Sequence, residues 1–212
     1  MPQALLQIQE AIIVGNMPQA VALTEEALES GTPATDIVTK IVVPSMEIVG
    51  GKFECGEYFL PEMMASAIST QGIMKVLRPK LAEGGTSPLA VAIIGTVKGD
   101  LHDIGKNLVA MMWEGAGFEV IDLGPDVPPE KFVEAIQTHQ PQLVGMSALL
   151  TTTMPMMAKI IEAIQSAGLR DQVKIMVGGA GVTQTFVDEI GADDFAPDAS
   201  SAVRKAKELL AI

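Results

Sequence analysis

The stretch LAVAIIGTVKGDLHDIGKNLV, residues 89–109, changes from one repeating pattern to another within a few residues. Its first seven residues are all apolar or small, as in a strand that is buried on both faces. From residue 104 onward, apolar residues recur at helical spacing. The polar loop between the two segments holds His102, one of only two histidines in the chain, between Asp100 and Asp103. The stretch therefore predicts a strand, a loop and a helix, with a titratable cluster in the loop.

The same order of strand and helix repeats downstream. We predict strands at 89–95, 118–123, 143–147, 173–177 and 194–196. We predict helices at 104–116, 129–139, 154–168, 183–190 and 199–210. Strands that alternate with helices, and that are too apolar to have a wet face, favour a parallel sheet covered on both sides. The second half of the chain is therefore predicted to be a flavodoxin/Rossmann-like, five-stranded α/β domain.

Residues 1–83 contain apolar residues at helical spacing and no convincing alternating stretch. Turn signals fall at Gly15, at 31–33 and at 50–61, which divides the segment into four helices. Short connections favour antiparallel neighbours, so a four-helix bundle is the expected packing. A polar joint at 84–88 then separates this domain, 1–83, from the α/β domain, 89–212.

The composition excludes several classes of protein. The chain has 212 residues, 48% of them hydrophobic, and a formal net charge of -12, so a nucleic-acid backbone would be repelled at long range. No apolar run approaches the roughly 20 residues that cross a membrane, and the N-terminus does not have the pattern of a signal peptide. One cysteine excludes an internal disulfide. We therefore expect a cytoplasmic protein that binds neither nucleic acid nor membranes.

The predicted sheet also indicates where a ligand would bind. For the strand order 2-1-3-4-5, ligands bind outside the carboxyl ends of the strands, between the first and the third. The loop after the first strand carries Lys98, Asp100 and His102, and the loop after the third is a run of hydroxyl side chains from Ser147 to Thr153. Both polar clusters fall at the predicted crevice.

Several residues of these loops also have ordinary structural explanations. Asp103 can cap the following helix, Gly105 can allow that helix to pack tightly on the sheet, and Ser147 can satisfy an amide at the strand end. No capping role requires His102. A neutral imidazole is a good metal ligand, and Asp100 can accept the hydrogen of its other ring nitrogen. One histidine is too few for a zinc or iron site made by protein alone, but it is enough for a metal that arrives inside a macrocycle.

Three elements in order carry a resemblance to a known family. Asp100-Leu101-His102-Asp103-Ile104-Gly105, followed by Ser147-Ala148-Leu149 and then by Gly178-Gly179, resembles the pattern of cobalamin-binding domains. Upstream, Gly56-Glu57-Tyr58-Phe59-Leu60-Pro61-Glu62 is similar to a segment of the helical cap in methionine synthase and in small corrinoid proteins of methyltransferase systems. The resemblance covers nearly the whole chain.

The resemblance implies a cobalamin or other corrinoid whose nucleotide tail is buried in the sheet domain, with His102 as the lower axial ligand of cobalt. Asp100 and Ser147 would continue the hydrogen-bond chain from His102. The helical domain would cover the upper face of the corrin, with Phe59 as a contact. The other implied cofactor contacts are Gly99, Leu101, Asp103, Ile104, Gly105, Leu149, Thr151, Gly178, Gly179 and Ala199.

The function that the resemblance implies is that of a non-catalytic methyl carrier. Its partners would be a substrate-specific methyltransferase, a second methyltransferase that loads tetrahydrofolate or a thiol cofactor, and a reductive activase. Methanol, a methylamine, a betaine and an aromatic methyl ether all remain open as donors. Two alternatives are a cobalamin-dependent regulator and the cobalamin-binding subunit of an adenosylcobalamin mutase. The first lacks a visible basic DNA-reading module, and the second leaves the cap segment unexplained. A nucleotide-binding module is a weaker alternative, because the chain has no P-loop and no Gly-x-Gly-x-x-Gly.

Overall fold

The computed structural model describes residues 3–83 and 88–212. The chain divides into two compact units. The first comprises Met1–Pro88 and Met111–Phe118, and the second comprises Leu89–Ala110 and Glu119–Ile212. Residues 84–87 of the predicted joint lie outside the described residues.

The first unit is helical, as predicted. Its helices are α1 (Gln3–Ile13), α2 (Met17–Glu29), α3 (Ala34–Ile37), which continues through a π-helical segment (Val38–Val42) into α4 (Val43–Glu54), and α5 (Leu60–Glu83). Since α3, the π segment and α4 form one continuous rod, the unit has the four predicted helical segments. The turns after α1 and α2 lie where the sequence indicates them.

The third predicted break is shorter than expected. Gly50 and Gly51 lie inside α4, and only residues 55–59 separate α4 from α5. A glycine weakens a helix by about 1 kcal/mol relative to alanine but does not end it. Pro61 is the second residue of α5, where its missing amide hydrogen costs nothing.

The π-helical segment follows from a proline. Val43 donates its amide hydrogen to the Val38 carbonyl, five residues earlier. The next residue, Pro44, has no amide hydrogen to continue the ladder. The backbone therefore widens for one turn before α4 resumes.

The second unit is a five-stranded parallel sheet in the predicted order, β2-β1-β3-β4-β5. Its strands are β1 (Val91–Thr96), β2 (Glu119–Asp122), β3 (Leu143–Ser147), β4 (Lys174–Gly178) and β5 (Asp194–Ala196). The helices that connect or follow them are α6 (Ile104–Gly115), α7 (Pro129–His139), α8 (Pro155–Ser166), a 3-10 turn (Arg170–Gln172), α9 (Gln184–Ile190) and α10 (Ala199–Leu210). β2 is an edge strand, and its end residues Glu119 and Asp122 are exposed. It is therefore less buried than the sequence analysis expected.

The register of the sheet aligns the ends of its strands. Thr96 pairs with Ser147, Ser147 pairs with Gly178, and Gly178 pairs with Ala196. The loops after β1, β3 and β4 therefore leave the sheet side by side at its carboxyl edge.

Helices cover both faces of this sheet. On one face, α7, α8 and α9 contribute Phe132, Ile160 and Val187 to a core that also holds Ile93 and Val144 of the strands. α10 packs on β4 and β5 outside that core.

In the part of the chain that the structure describes, no helix combines the length and the apolar character needed to cross a bilayer.

Candidate functional site

The centre of the candidate site is the hydrogen bond between His102 and Asp100, in the loop after β1. Nδ1 of His102 lies 2.7 Å from Oδ1 of Asp100, and the same oxygen accepts the backbone amide of His102 at 3.0 Å. The Asp100 side chain is fully buried, whereas the His102 side chain is 53% exposed. A buried carboxylate therefore fixes one nitrogen of a ring whose other nitrogen, Nε2, is available to a ligand.

The second oxygen of Asp100 is also fully engaged. Oδ2 accepts the amide of Leu149 at 2.8 Å, the amide of Leu150 at 3.2 Å and the hydroxyl of Thr153 at 2.7 Å. Asp100 thus ties the loop after β1 to the loop after β3.

These contacts set the charge of Asp100. Burial alone would raise the pKa of the Asp100 carboxyl, but the hydrogen bonds from Thr153, His102 and Leu150 outweigh it and hold the pKa well below its usual range. Asp100 is therefore a carboxylate at neutral pH, and Nδ1 of His102 carries the hydrogen that it accepts. In the neutral ring, Nε2 then has the free lone pair with which imidazole binds a metal.

The sequence analysis expected Ser147 to continue the hydrogen-bond chain from His102 through Asp100. In the structure the hydroxyl of Thr153 donates to Asp100 at 2.7 Å, and the role of Ser147 stays a prediction. Ser147 still lies at the end of β3, and its carbonyl accepts the amide of Val97. Three consecutive hydroxyl residues, Thr151-Thr152-Thr153, mark this loop in the sequence, and the structure shows that the last of them contacts Asp100.

Four apolar side chains in or next to the loops around His102 are exposed, and three of them, Leu101, Ile104 and Leu149, were predicted contacts. Leu101 and Ile104 are 73% and 69% exposed, and Leu149 and Leu150 are 44% and 42% exposed. We call these four residues the apolar rim. Large apolar side chains grouped at one edge of a sheet indicate a surface that a ligand or a partner covers.

Gly105 lies in the first turn of α6, and a Cβ placed on it would meet nothing within 4 Å. The structural explanation considered for this glycine, tight packing of the helix on the sheet, is therefore wrong. The open space above its Cα suits a bulky ligand group that passes close to the helix. Asp103 immediately precedes α6, and its carbonyl accepts the Asn107 amide of the first turn.

The other predicted contacts have different environments. Gly178 ends β4, and a Cβ there would make only ordinary contact with the Ala196 carbonyl. Gly179 is required by the fold, since its φ is +137° and a Cβ would lie 1.9 Å from the Ala148 carbonyl oxygen. Thr151 is exposed in the loop after β3, and Ala199 is buried at the start of α10.

Phe59 belongs to the helical unit. Its side chain is 67% exposed, and its amide donates a hydrogen bond to Glu62 at the start of α5. This capping interaction fixes the backbone that carries the ring.

These features fit a corrinoid. Residues 3–83 and 88–212 contain no group of three or more His, Cys, Asp or Glu side chains that could hold a metal ion. His102 would be a single protein ligand, which suits a metal already held in a macrocycle. The apolar rim and the open space at Gly105 provide room for such a ring and its tail.

Asp100→Asn is expected to lower the free energy of unfolding at pH 7 by about 2 kcal/mol, because the asparagine amide group would face hydrogen-bond donors. The pKa of Asp100 is depressed in the folded state, so its stabilising contribution is present at neutral pH and is lost as the pH falls below about 4. The difference in unfolding free energy between the wild-type protein and Asp100→Asn should therefore become smaller in acid. Urea unfolding at neutral pH and near pH 3 measures it, and an undiminished difference near pH 3 would contradict this account.

Comparison with known proteins indicates the same class of cofactor. One family model of the B12 binding domain matches residues 90–206, and a second, also described as a B12 binding domain, matches residues 5–78. The chain is 44% identical over 212 residues to the dimethylamine corrinoid protein of Methanosarcina barkeri, with 99% of this chain and 98% of the relative covered. It is 43% identical over 210 residues to the trimethylamine corrinoid protein of the same organism, covering 98% and 97%.

A solved structure is similar over the same length. The methanol:cobalamin methyltransferase complex from Methanosarcina barkeri superposes with a TM-score of 0.89 at 27% identity, covering 99% of this chain and 80% of that one. Two matched domain models and two relatives of nearly equal length together decide the family. The chain belongs to the family of B12-binding corrinoid proteins.

Proposed function

We propose that this chain carries a methyl group on the cobalt of a bound cobalamin or another corrinoid, between a substrate-specific methyltransferase and a second methyltransferase. The observation that carries the proposal is the buried Asp100 carboxylate that holds Nδ1 of the exposed His102 ring beside the apolar rim. This arrangement presents one imidazole lone pair at an edge where a large apolar ligand would be accommodated. The two methylamine corrinoid proteins among its relatives support the same proposal.

The bound corrinoid would supply a cobalt atom that takes up a methyl group from one protein and releases it to another. Nε2 of His102 would be the protein ligand of the cobalt, and Asp100 would keep the Nδ1 hydrogen in place. Thr153 would hold Asp100 by its hydroxyl. Asp100 contacts His102 in the loop after β1 and the amides of Leu149 and Leu150 in the loop after β3, so it would tie the position of the ring to both loops.

The other predicted contacts would surround the macrocycle and its tail. Gly105 and Gly178 would leave space for the tail, and the apolar rim would contact the ring or the chain that links it to the nucleotide. The remaining contacts that we propose are Gly99, Asp103, Ser147, Thr151, Gly179 and Ala199. In the helical domain, 1–83, the exposed Phe59 is a further proposed cofactor contact.

Among the donors that the sequence leaves open, we propose a methylated amine. Relatives at 43% and 44% identity over almost the whole chain are a trimethylamine and a dimethylamine corrinoid protein. The acceptor would be tetrahydrofolate or a thiol cofactor, loaded by the second methyltransferase. A reductive activase would restore the cobalt after adventitious oxidation.

The test is an EPR spectrum of the cobalt(II) form, reconstituted with cobalamin in protein that carries nitrogen-15 only at histidine. A doublet splitting from a nitrogen-15 nucleus is expected, because a histidine replaces the cofactor's own base. A triplet from nitrogen-14 would place the cofactor's base on cobalt and contradict the assigned site. Failure to bind cobalamin at all would overturn the proposed function.

The donor is tested separately with the loaded protein in its reduced form. Methyl uptake is followed by absorbance with methyltransferases specific for mono-, di- and trimethylamine and for methanol. Uptake from an amine enzyme and not from the methanol enzyme is expected. The reverse would retain the carrier function and reject the amine.

A further inference from the structure

The loop between β2 and α7, residues 123–128, runs beside the loop that carries His102. The Val127 amide donates to the Thr96 carbonyl at 2.9 Å, and the Thr96 amide donates to the Gly124 carbonyl at 3.0 Å. Val97 and Val127 form an isolated parallel bridge. The pairing of β1 with β2 is thus extended beyond the strands into the two loops.

Asp126 makes the last contacts of this extension. Its carboxylate Oδ1 accepts the Gly99 amide at 2.7 Å, and its own amide donates to the Asp100 carbonyl at 3.1 Å. One residue therefore binds both ends of the Gly99–Asp100 pair. The Gly99 amide and the Asp100 carbonyl lie on either side of the Asp100 Cα, which carries the carboxylate that contacts His102.

The backbone of Asp126 is in the left-handed region, with φ at 56°. For a residue other than glycine this conformation costs about 1 kcal/mol, and aspartate and asparagine tolerate it better than most. Gln140 and Ala211 are the other non-glycine residues with positive φ among those described, and both are helix C-caps. Asp126 caps no helix, so its conformation is explained by the two hydrogen bonds to the loop after β1.

The base of the loop is anchored independently of Asp126. Asp122 accepts a hydrogen bond from the buried Lys106 of α6, and its other oxygen accepts the Gly124 amide at 2.8 Å. The loop should consequently keep its course when the Asp126 side chain is removed. Removing the side chain would remove the hydrogen bond from the Gly99 amide to the Asp126 carboxylate.

We propose that Asp126 is a positioning residue for the cobalt ligand. Its carboxylate and amide fix the Gly99–Asp100 backbone, that backbone directs the Asp100 carboxylate, and the carboxylate directs His102. The inference rests on the proposed function, because it assigns His102 to cobalt. It adds a residue 24 positions away from His102 and on a different loop.

The test compares Asp126→Gly, which keeps the left-handed backbone and removes the acceptor, with Asp126→Asn, which keeps both an oxygen acceptor and a tolerance for that backbone. Gln140→Gly is the matched control, because it makes a similar backbone change at the end of α7. Each variant is labelled with nitrogen-15 at histidine and loaded with cobalamin. The fraction of cobalt(II) with histidine splitting is then measured, together with the thermal unfolding midpoint and the hydrogen exchange of the Gly99 amide in the cofactor-free protein.

Asp126→Gly is expected to lower the ratio of histidine-bound to histidine-free cobalt by about tenfold. This is the size of effect expected for the loss of a hydrogen bond to a charged acceptor. The Gly99 amide should exchange faster, while the unfolding midpoint stays within a few degrees. Asp126→Asn should restore histidine ligation to within about twofold of wild type, because its oxygen still accepts the Gly99 amide. Gln140→Gly should resemble wild type.

Two outcomes would overturn the inference alone. One is full histidine splitting in Asp126→Gly, and the other is an equal loss in Asp126→Gly and Asp126→Asn. Absence of histidine splitting in the wild-type protein would instead overturn the assignment of His102, and the inference with it.

Discussion

His102→Ala is expected to abolish the histidine splitting in the cobalt(II) spectrum and to weaken cobalamin binding by at least about tenfold. Substitutions that only disturb the partner of a metal ligand already cost about 10–100-fold in affinity, so loss of the ligand itself should cost no less. The fold should survive, because the ring is 53% exposed and the main-chain contacts of residue 102 do not need the side chain. These contacts join its amide to Asp100 and its carbonyl to Thr96.

The control for this variant is His139→Ala. His139 is the other histidine in the chain, and it lies exposed at the end of α7. The nitrogen-15 doublet should persist in that variant. Added imidazole labelled with nitrogen-15 should restore a doublet in His102→Ala, whereas the cofactor's own base would give a nitrogen-14 triplet. A doublet that persists in His102→Ala would show that another residue is the ligand.

Gly179→Ala is expected to destabilise the protein by about 3 kcal/mol or more, which lowers the unfolding midpoint by roughly 10 °C for a chain of this size. Two causes act together. The φ of +137° is a conformation that only glycine adopts readily, and the added methyl group would lie 1.9 Å from the Ala148 carbonyl oxygen. That carbonyl belongs to the backbone immediately after β3, where the Ala148 amide still donates to the Gly178 carbonyl, so it cannot move aside without disturbing the end of the sheet.

Gly105→Ala is the matched control for that variant. Its added methyl group meets nothing within 4 Å, and alanine is the better helix former, so the cofactor-free protein should be as stable as wild type or slightly more stable. If Gly105 leaves room for the nucleotide tail, the same change should weaken cobalamin binding. Thermal unfolding and cobalamin titration of both variants separate a glycine required by the fold from one required by the ligand. Equal stability of Gly179→Ala and wild type would contradict the steric account.

The sheet could be predicted because its central strands are short, apolar and bounded by turns. Leu143–Ser147 matches its predicted bounds at both ends. The break at Gly50 was misjudged because a glycine signals a possible turn, while packing decides whether the helix continues; Gly50 is buried inside α4. The position of β2 in the chain was predicted correctly. Its exposure was not, because it depends on the place of the strand at the edge of the sheet.

The part of the site that is formed by residues close together in the sequence could be predicted. Asp100 and His102 are two residues apart, so a turn of the loop was enough to join them. Thr153 was not identified because its contact with Asp100 depends on how the loop after β3 folds back, which residue types do not reveal. Asp126 was missed for a similar reason, since only the pairing of Val97 with Val127 brings its loop beside Gly99.

Met111–Phe118 belong to the helical unit although they follow β1 in the chain. This limits where a gene could be divided between the two units. Glu114 binds Arg78 and Gln71 of α5, and Gly115 lies so close to Met46 that an added Cβ would clash with it. A gene fragment that begins after residue 88 would encode these residues without the helices that they pack against. Its product would expose the surface around Trp113 and Phe118, which is buried in the intact chain. The two halves are therefore expected to be exchanged between proteins only as a pair, and a domain swap would need to transfer the end of α6 together with the helices.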